Sequence, residues 1–287
     1  MTSFVSSVMA LIYTGISAVL LFWHAAWERL LGGAGGFSTD WAWVLGIVFL
    51  VVTVRIVLFP LFVKQTKSQR ALQMLHPKVK QLQERHKDDR ETLQRELMKL
   101  YRSEKVNPLA SLVPILVQAP VFFGLFHVLR HLRPTITSET SRTLYGWTLH
   151  QFESASQATL FSAPIAASFQ SSAAETAATG ANGITVQLVS ATLIAIMVLT
   201  TFLSGRQMIL KTGWSDDPPQ RIVQRLMLYG LPLTLTISGL LFPIGVVIYW
   251  TVQNIISLGQ QMWILRKYPP PVRAIGSEDP AHEAATR

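Results

Sequence analysis

The chain has 287 residues, 49% of them hydrophobic and only 14% charged, and its mean hydropathy is +0.33. Because that hydrophobicity is gathered into separate long runs, it points to a polytopic membrane protein and away from a soluble domain. The chain contains no cysteine, which excludes disulfides, thiol catalysis, iron–sulfur clusters and lipid attachment through cysteine, and its net charge is +9.

The first segment, residues 1–40, is ambiguous. Met1–Trp23 carries no charge and is nearly long enough to span a bilayer, but it has neither a basic leader nor a small-residue cleavage site. Ser3, Ser6, Ser7, Thr14 and Ser17 dilute it, and Trp23, Trp27, Glu28 and Arg29 follow. These residues favour a retained helix at the outer interface, with a sixth crossing as the alternative and Gly32–Gly36 as the hinge.

Residues 41–63 form the first predicted span. At about 1.5 Å per residue they cover about 34 Å, enough for a hydrocarbon layer of about 30 Å. The stretch is uncharged except for Arg55. A charge at that depth costs about 2.5–3.5 kcal/mol on insertion scales. Snorkelling to the headgroups is one solution, and a water-filled polar recess is the favoured one.

Residues 64–108 read as an antiparallel helical hairpin. Leu72, Leu75, Val79 and Leu82 make one apolar stripe, and Leu93, Leu97 and Leu100 another. The polar break Arg85–Asp89 separates them, with Asp88 or Asp89 placed to cap the second arm. Pro77 predicts a kink or a late start in the first arm. Four further spans follow at residues 109–130, 186–208, 222–240 and 241–265, the last two joined by a tight turn near Ser238–Pro243. Between them, residues 131–185 make a loop with short amphipathic segments and a mobile stretch near Ser171–Gly183, and residues 209–221 a short irregular connection. The tail, 266–287, carries three prolines after Tyr268 and reads as disordered. The fold class is therefore all-α: a five-helix transmembrane core, a hairpin on one side and an N-terminal interfacial helix.

Charge sets the orientation. Of 25 Lys and Arg, twelve lie between Lys64 and Lys105, four between Arg206 and Arg225, and four from Arg266 onward. By the positive-inside rule the hairpin and the C-terminus are cytoplasmic and residues 131–185 lie outside a bacterial cell membrane. The same charge attracts anionic lipid.

Within the spans Gln118, Gln187, Tyr229, Tyr249, Gln253 and Asn254 are polar, and none can pair ionically with Arg55. Hydrogen bonding between helices is the default role for each. Absence of an acid–base pair argues against a proton relay or ion-coupled transporter. A solute or anion transporter using Arg55 stays the alternative function. No nucleophile–base pair, metal-spaced histidine set or phosphate-binding glycine loop is visible, so neither an enzyme nor a cofactor is expected. His127 and His131 are four apart without a companion carboxylate.

Several motifs converge in order along the chain. Val54-Arg-Ile-Val-Leu-Phe-Pro60, Leu75-His-Pro-Lys78, Lys87-Asp-Asp89, Lys105-Val-Asn-Pro-Leu109, Pro114-Ile-Leu-Val-Gln-Ala-Pro120 and Phe242-Pro-Ile-Gly245 with Tyr249 and Asn254 together resemble the YidC-type membrane protein insertases, over about Trp41 to Lys267. The resemblance implies a hydrophilic groove open to the cytoplasm and lipid but closed outside, with Arg55, Gln118 and Tyr249 as substrate-binding positions. It implies nascent membrane proteins as partners, recruited by the hairpin and released along the helices matching 109–130 and 222–240, with the ribosome and the Sec translocon as further partners. The chain lacks the large extracytoplasmic domain of some bacterial members, and its tail is only modestly basic.

Overall fold

The computed structural model describes residues 2–32, 36–87, 89–104, 106–107, 113–132, 136, 138–214 and 218–267. Asp88, the start of the second predicted span before Val113, Asp216 and Asp217, and the tail from Tyr268 lie outside the described residues.

The long helices are α1 (Thr2–Leu31), α2 (Trp41–Arg85), α3 (Arg90–Ser103) and α4 (Val113–His131). A loop region follows with α5 (Glu139–Arg142), α6 (Leu149–Gln157), strands β1 (Thr159–Leu160) and β2 (Ala163–Pro164), and α7 (Ala173–Ala178). Then come α8 (Gly183–Thr212), α9 (Pro218–Arg225), a π-helical stretch Leu226–Gly230, α10 (Leu231–Leu241) and α11 (Ile244–Lys267). Among the described residues, three helical segments are long and apolar enough to cross a membrane: Ser6–Leu31, Trp41–Lys64 and Gly183–Leu210.

Three expectations need correction. First, α2 runs unbroken for 45 residues, so the first arm of the hairpin continues the first span and does not start late at Pro77. Second, the chain is not entirely helical: β1 and β2 pair antiparallel across Phe161 and Ser162, whose φ angles of 49° and 65° suit a two-residue hairpin turn. Third, the stretch expected to be mobile holds α7, whose first turn is fixed by a reciprocal capping box between Ser172 and Glu175. Its low hydrophobicity hid a strong local start signal.

The π-helical stretch has a local cause. Pro232 has no N–H for the carbonyl four residues back, and the ladder slips so that Leu231 N–H reaches the Leu226 carbonyl. As predicted, a short turn joins α10 to α11.

Helix packing places α8 between α10 and α11, α11 against α2, and α1 across α2 and α4. Gly124 permits the α1–α4 crossing, since a Cβ there would lie 2.5 Å from Ile16 Cδ1 and 3.0 Å from Ile12 Cγ2. Asn254 ties α11 to α8 by donating to Thr201 Oγ1 at 2.7 Å and to the Met197 carbonyl at 3.3 Å.

The core is concentrated at one end, where the loop 138–182 folds over the bundle. On α2, Trp43, Val44, Ile47, Leu50 and Val51 are buried, whereas no residue from Val52 to Lys64 is. On α11 the buried residues run from Ile244 to Thr251, with none among the described side chains from Val252 to Trp263, and on α4 those among the described side chains 118–131 fall at residues 124–129. By contrast α8, held between two helices, has buried residues from Val186 to Ile209.

The loop makes that end tight. Trp147 Nε1 donates to Ser17 Oγ at 3.0 Å, Trp43 Nε1 to Ser154 Oγ at 3.0 Å, and the two indoles stack 5.7 Å apart. Asp40 Oδ2 accepts from Thr159 N–H at 2.6 Å. The N–H groups of Ile244 and Gly245, which have no partner within α11, donate to the loop carbonyls of Ala167 and Ile165 at 2.7 and 2.9 Å.

At the other end α2 and α3 form the hairpin. Asp89 caps α3, accepting from Thr92 N–H at 3.0 Å and Thr92 Oγ1 at 2.6 Å, and Lys78 pairs with Glu104 at 2.6 Å. Leu75 is buried, and Val79, Leu82, Leu93, Leu97 and Leu100 are half-buried, as their spacing predicts.

Candidate functional site

Arg55 lies just past the last buried turn of α2, fourteen residues from its start, or about 21 Å along the helix. Its guanidinium turns to α11. Nε donates to Gln253 Oε1 at 3.0 Å, Nη1 to Gln260 Oε1 at 2.9 Å, and Nη2 to the Gln253 carbonyl at 3.3 Å and to Ser257 Oγ. Ser257 Oγ in turn donates to the Gln253 carbonyl at 2.7 Å. These four Arg55 bonds go to neutral acceptors, so the cation keeps its full charge while its donors are held.

Tyr249, Gln253, Ser257 and Gln260 recur at four, four and three residues and share one stripe of α11. Tyr249 is buried against Phe122, and its hydroxyl accepts from Gln118 Nε2 at 2.6 Å, which binds α4 to α11. The three predicted site residues therefore fall in two linked groups. Gln118 and Tyr249 meet directly, and Arg55 sits with Gln253 one turn further toward the hairpin.

Sequence reasoning missed Ser257 and Gln260. Their signal was present: both continue the helical spacing begun by Tyr249 and Gln253. Asn254, one residue away from that stripe, points instead to α8. His127 and His131 are engaged elsewhere, with Nε2 atoms 2.9 Å from the Tyr145 hydroxyl and 2.7 Å from the Ser141 carbonyl.

Past the buried end, the faces of α2 and α10 that look away from the core are apolar and open. Ile56 and Val57 are 68% and 67% exposed, and Leu226, Leu233 and Ile237 are similarly bare. Apolar exposure on this scale suits contact with lipid. A charged, hydrogen-bonded cluster thus lies beside surfaces fit for hydrocarbon.

Residues 35–271 match the family model described as 60Kd inner membrane protein. The chain belongs to that family. Among its curated relatives is a protein named membrane protein insertase YidC from Streptomyces avermitilis, 37% identical over 268 residues, covering 93% of this chain and 60% of that protein. One of the same name from Tropheryma whipplei is 32% identical over 93% of this chain and 86% of its own length. A third, from Mycolicibacterium paratuberculosis, is 29% identical, covering 88% and 74%. The chain thus spans about 60% of the length of the Streptomyces relative. Membership of this YidC-type family, with the long apolar helices, makes the chain a bacterial membrane protein.

Proposed function

We propose that the chain is a membrane protein insertase that moves short polar segments of nascent membrane proteins through a hydrophilic groove and releases their apolar helices to lipid. The observation that carries this reading is the one-ended burial of α2 and α11: on these two helices tight packing stops within a turn of Arg55, and the described side chains of α2 from Val52 to Lys64 and of α11 from Val252 to Trp263 are only partly covered. In this reading the loop end is the extracytoplasmic side and the hairpin end the cytoplasm, in line with the Lys and Arg distribution. The groove then runs from the cytoplasm up to Arg55, and the Gln118–Tyr249 pair closes its inner limit.

The energetics follow from the shape. A polar group buried without a partner in hydrocarbon costs several kcal/mol. From Val63 to Arg55 is about 12 Å of helix, so water reaching Arg55 removes about that length from a dry path of about 30 Å. Arg55 adds attraction for acidic side chains in the arriving segment. The client's apolar helix leaves past the exposed Phe123 of α4 and the bare face of α10, driven by about 25 cal/mol per Å² taken from water.

The reading also assigns α1. It meets α2 at Trp43, Gly46, Phe49 and Thr53 and α4 at Gly124 and His127, all toward the loop end of those helices. Such contacts favour a helix lying across the outer leaflet. The basic hairpin faces the ribosome, the Sec translocon and anionic lipid.

The test is insertion of a client whose translocated segment carries an acidic residue, using Arg55→Ala and Arg55→Lys. The alanine variant is expected to lose most insertion and the lysine variant to keep most of it. Equal yields for wild type and Arg55→Ala would refute the electrostatic role.

A further inference from the structure

The arginine is not waiting empty-handed. Four of its bonds go to α11, and each acceptor is neutral. Gln253 and Gln260 are seven residues apart, about 10 Å along the helix, yet both side-chain amides converge on one guanidinium. An arginine with a purely structural role at this depth is best served by a carboxylate, which neutralises it and bonds it in a bidentate fork. Amides satisfy the donors without cancelling the charge.

We propose that Gln253 and Gln260 are resident stand-ins for a client carboxylate, occupying Arg55 until an acidic side chain displaces them. This rests on the insertase reading above and adds a specificity device to it. The exchange is favourable because a carboxylate brings the opposite charge and a bidentate fork to the guanidinium, whereas each amide oxygen gives the cation one bond from a neutral acceptor. It is also reversible. Both amides are half-buried and can take water when displaced, and they rebind Arg55 when the client leaves. Ser257, anchored to the Gln253 carbonyl, keeps the α11 stripe set for that return. The pair therefore keeps the guanidinium donors occupied at rest, and a carboxylate in the moving segment is the feature that opens the site.

The experiment compares two forms of one client, with an acidic residue or its amide in the translocated segment, in full-length protein bearing Gln260→Glu or Gln260→Met. The readout is the ratio of acidic to amide client inserted, which a general folding defect does not move. Gln260→Glu supplies an internal carboxylate, and the ratio is expected to fall about tenfold, the effect of a competing ion pair on one charge-assisted bond. Gln260→Met removes a competitor, and the ratio is expected to hold or rise. Should a variant insert neither client, binding of the two client peptides to the purified protein in nanodiscs gives the same comparison. An unchanged ratio in Gln260→Glu, while Arg55→Ala still lowers it, overturns the stand-in role and leaves the insertase reading standing. An unchanged ratio in Arg55→Ala overturns the reading beneath it.

Discussion

Polar residues inside this bundle divide by what they touch, and their sequence neighbours do not reveal which is which. Asn254 and Gln253 are adjacent, yet one bonds Thr201 across to α8 and the other bonds Arg55 across to α2. Inter-helix hydrogen bonds in membranes are worth about 0.6 kcal/mol on average and about 1.7 at most. Asn254→Leu should therefore lower unfolding stability by about 0.5–1.5 kcal/mol. In the proposed mechanism it leaves insertion selectivity for acidic clients unchanged; equilibrium unfolding in bicelles and the client ratio check the two parts separately. Arg55 was legible from sequence because a solitary charge in an apolar run is conspicuous. Ser257 and Gln260 were legible only as a continuation of the Tyr249–Gln253 stripe, since small and amide side chains near a span's end are common and only the partner's position assigns them a role.

At the level of elements, long apolar runs pointed to helices in the bundle and apolar periodicity to the two hairpin arms, and errors came where a local signal was weak or was overridden. Pro77 suggested a kink or a late start, but α2 runs through it from Trp41 to Arg85, and the stripe on the first arm packs on α3. The Ser and Ala of 171–178 looked unstructured, yet a capping box starts a helix there. The second arm was read well, and its cap is testable. Bonds from the Thr92 hydroxyl and N–H hold the Asp89 carboxyl below the usual aspartate range. A carboxylate depressed in the folded state stabilises above its unfolded value of about 3.9 and loses that contribution as pH falls through the folded one. Protection of the Thr92 amide, taken relative to its intrinsic exchange rate at each pH, should fall across that acidic window. Asp89→Ala should show faster exchange at neutral pH and no such dependence; a pH profile identical to wild type would exclude Asp89 as the source.

For the whole molecule, the asymmetry between a sealed end and an open one was the least legible feature. Composition gives the spans, but their mutual burial depends on which loop folds over which end. The contacts Trp147–Ser17, Trp43–Ser154 and Asp40–Thr159 join residues more than a hundred positions apart. Because the chain has no cysteine, single cysteines report access cleanly. Ser257→Cys should react with a membrane-impermeant thiol reagent applied from the cytoplasmic side, and Ala163→Cys, at a fully buried position of the loop end, should resist it from either side. Protection of Ser257→Cys from the cytoplasmic reagent would mean a dry cluster and no groove.

The unbroken length of α2 has a mechanical consequence. A 45-residue helix is about 68 Å long, with its first turns clamped by the loop and its last turns forming the hairpin. Were it to swing as a rod about that clamped end, Arg55 would sit about a third of the way from the pivot to the tip. A sideways push on the hairpin, such as a docking partner would exert, reaches the guanidinium scaled down to about a third. A 3 Å nudge at the tip becomes about 1 Å at the cation, enough to stretch hydrogen bonds of ordinary length. In the proposed mechanism, recruitment and unlatching would then be one motion of a single lever.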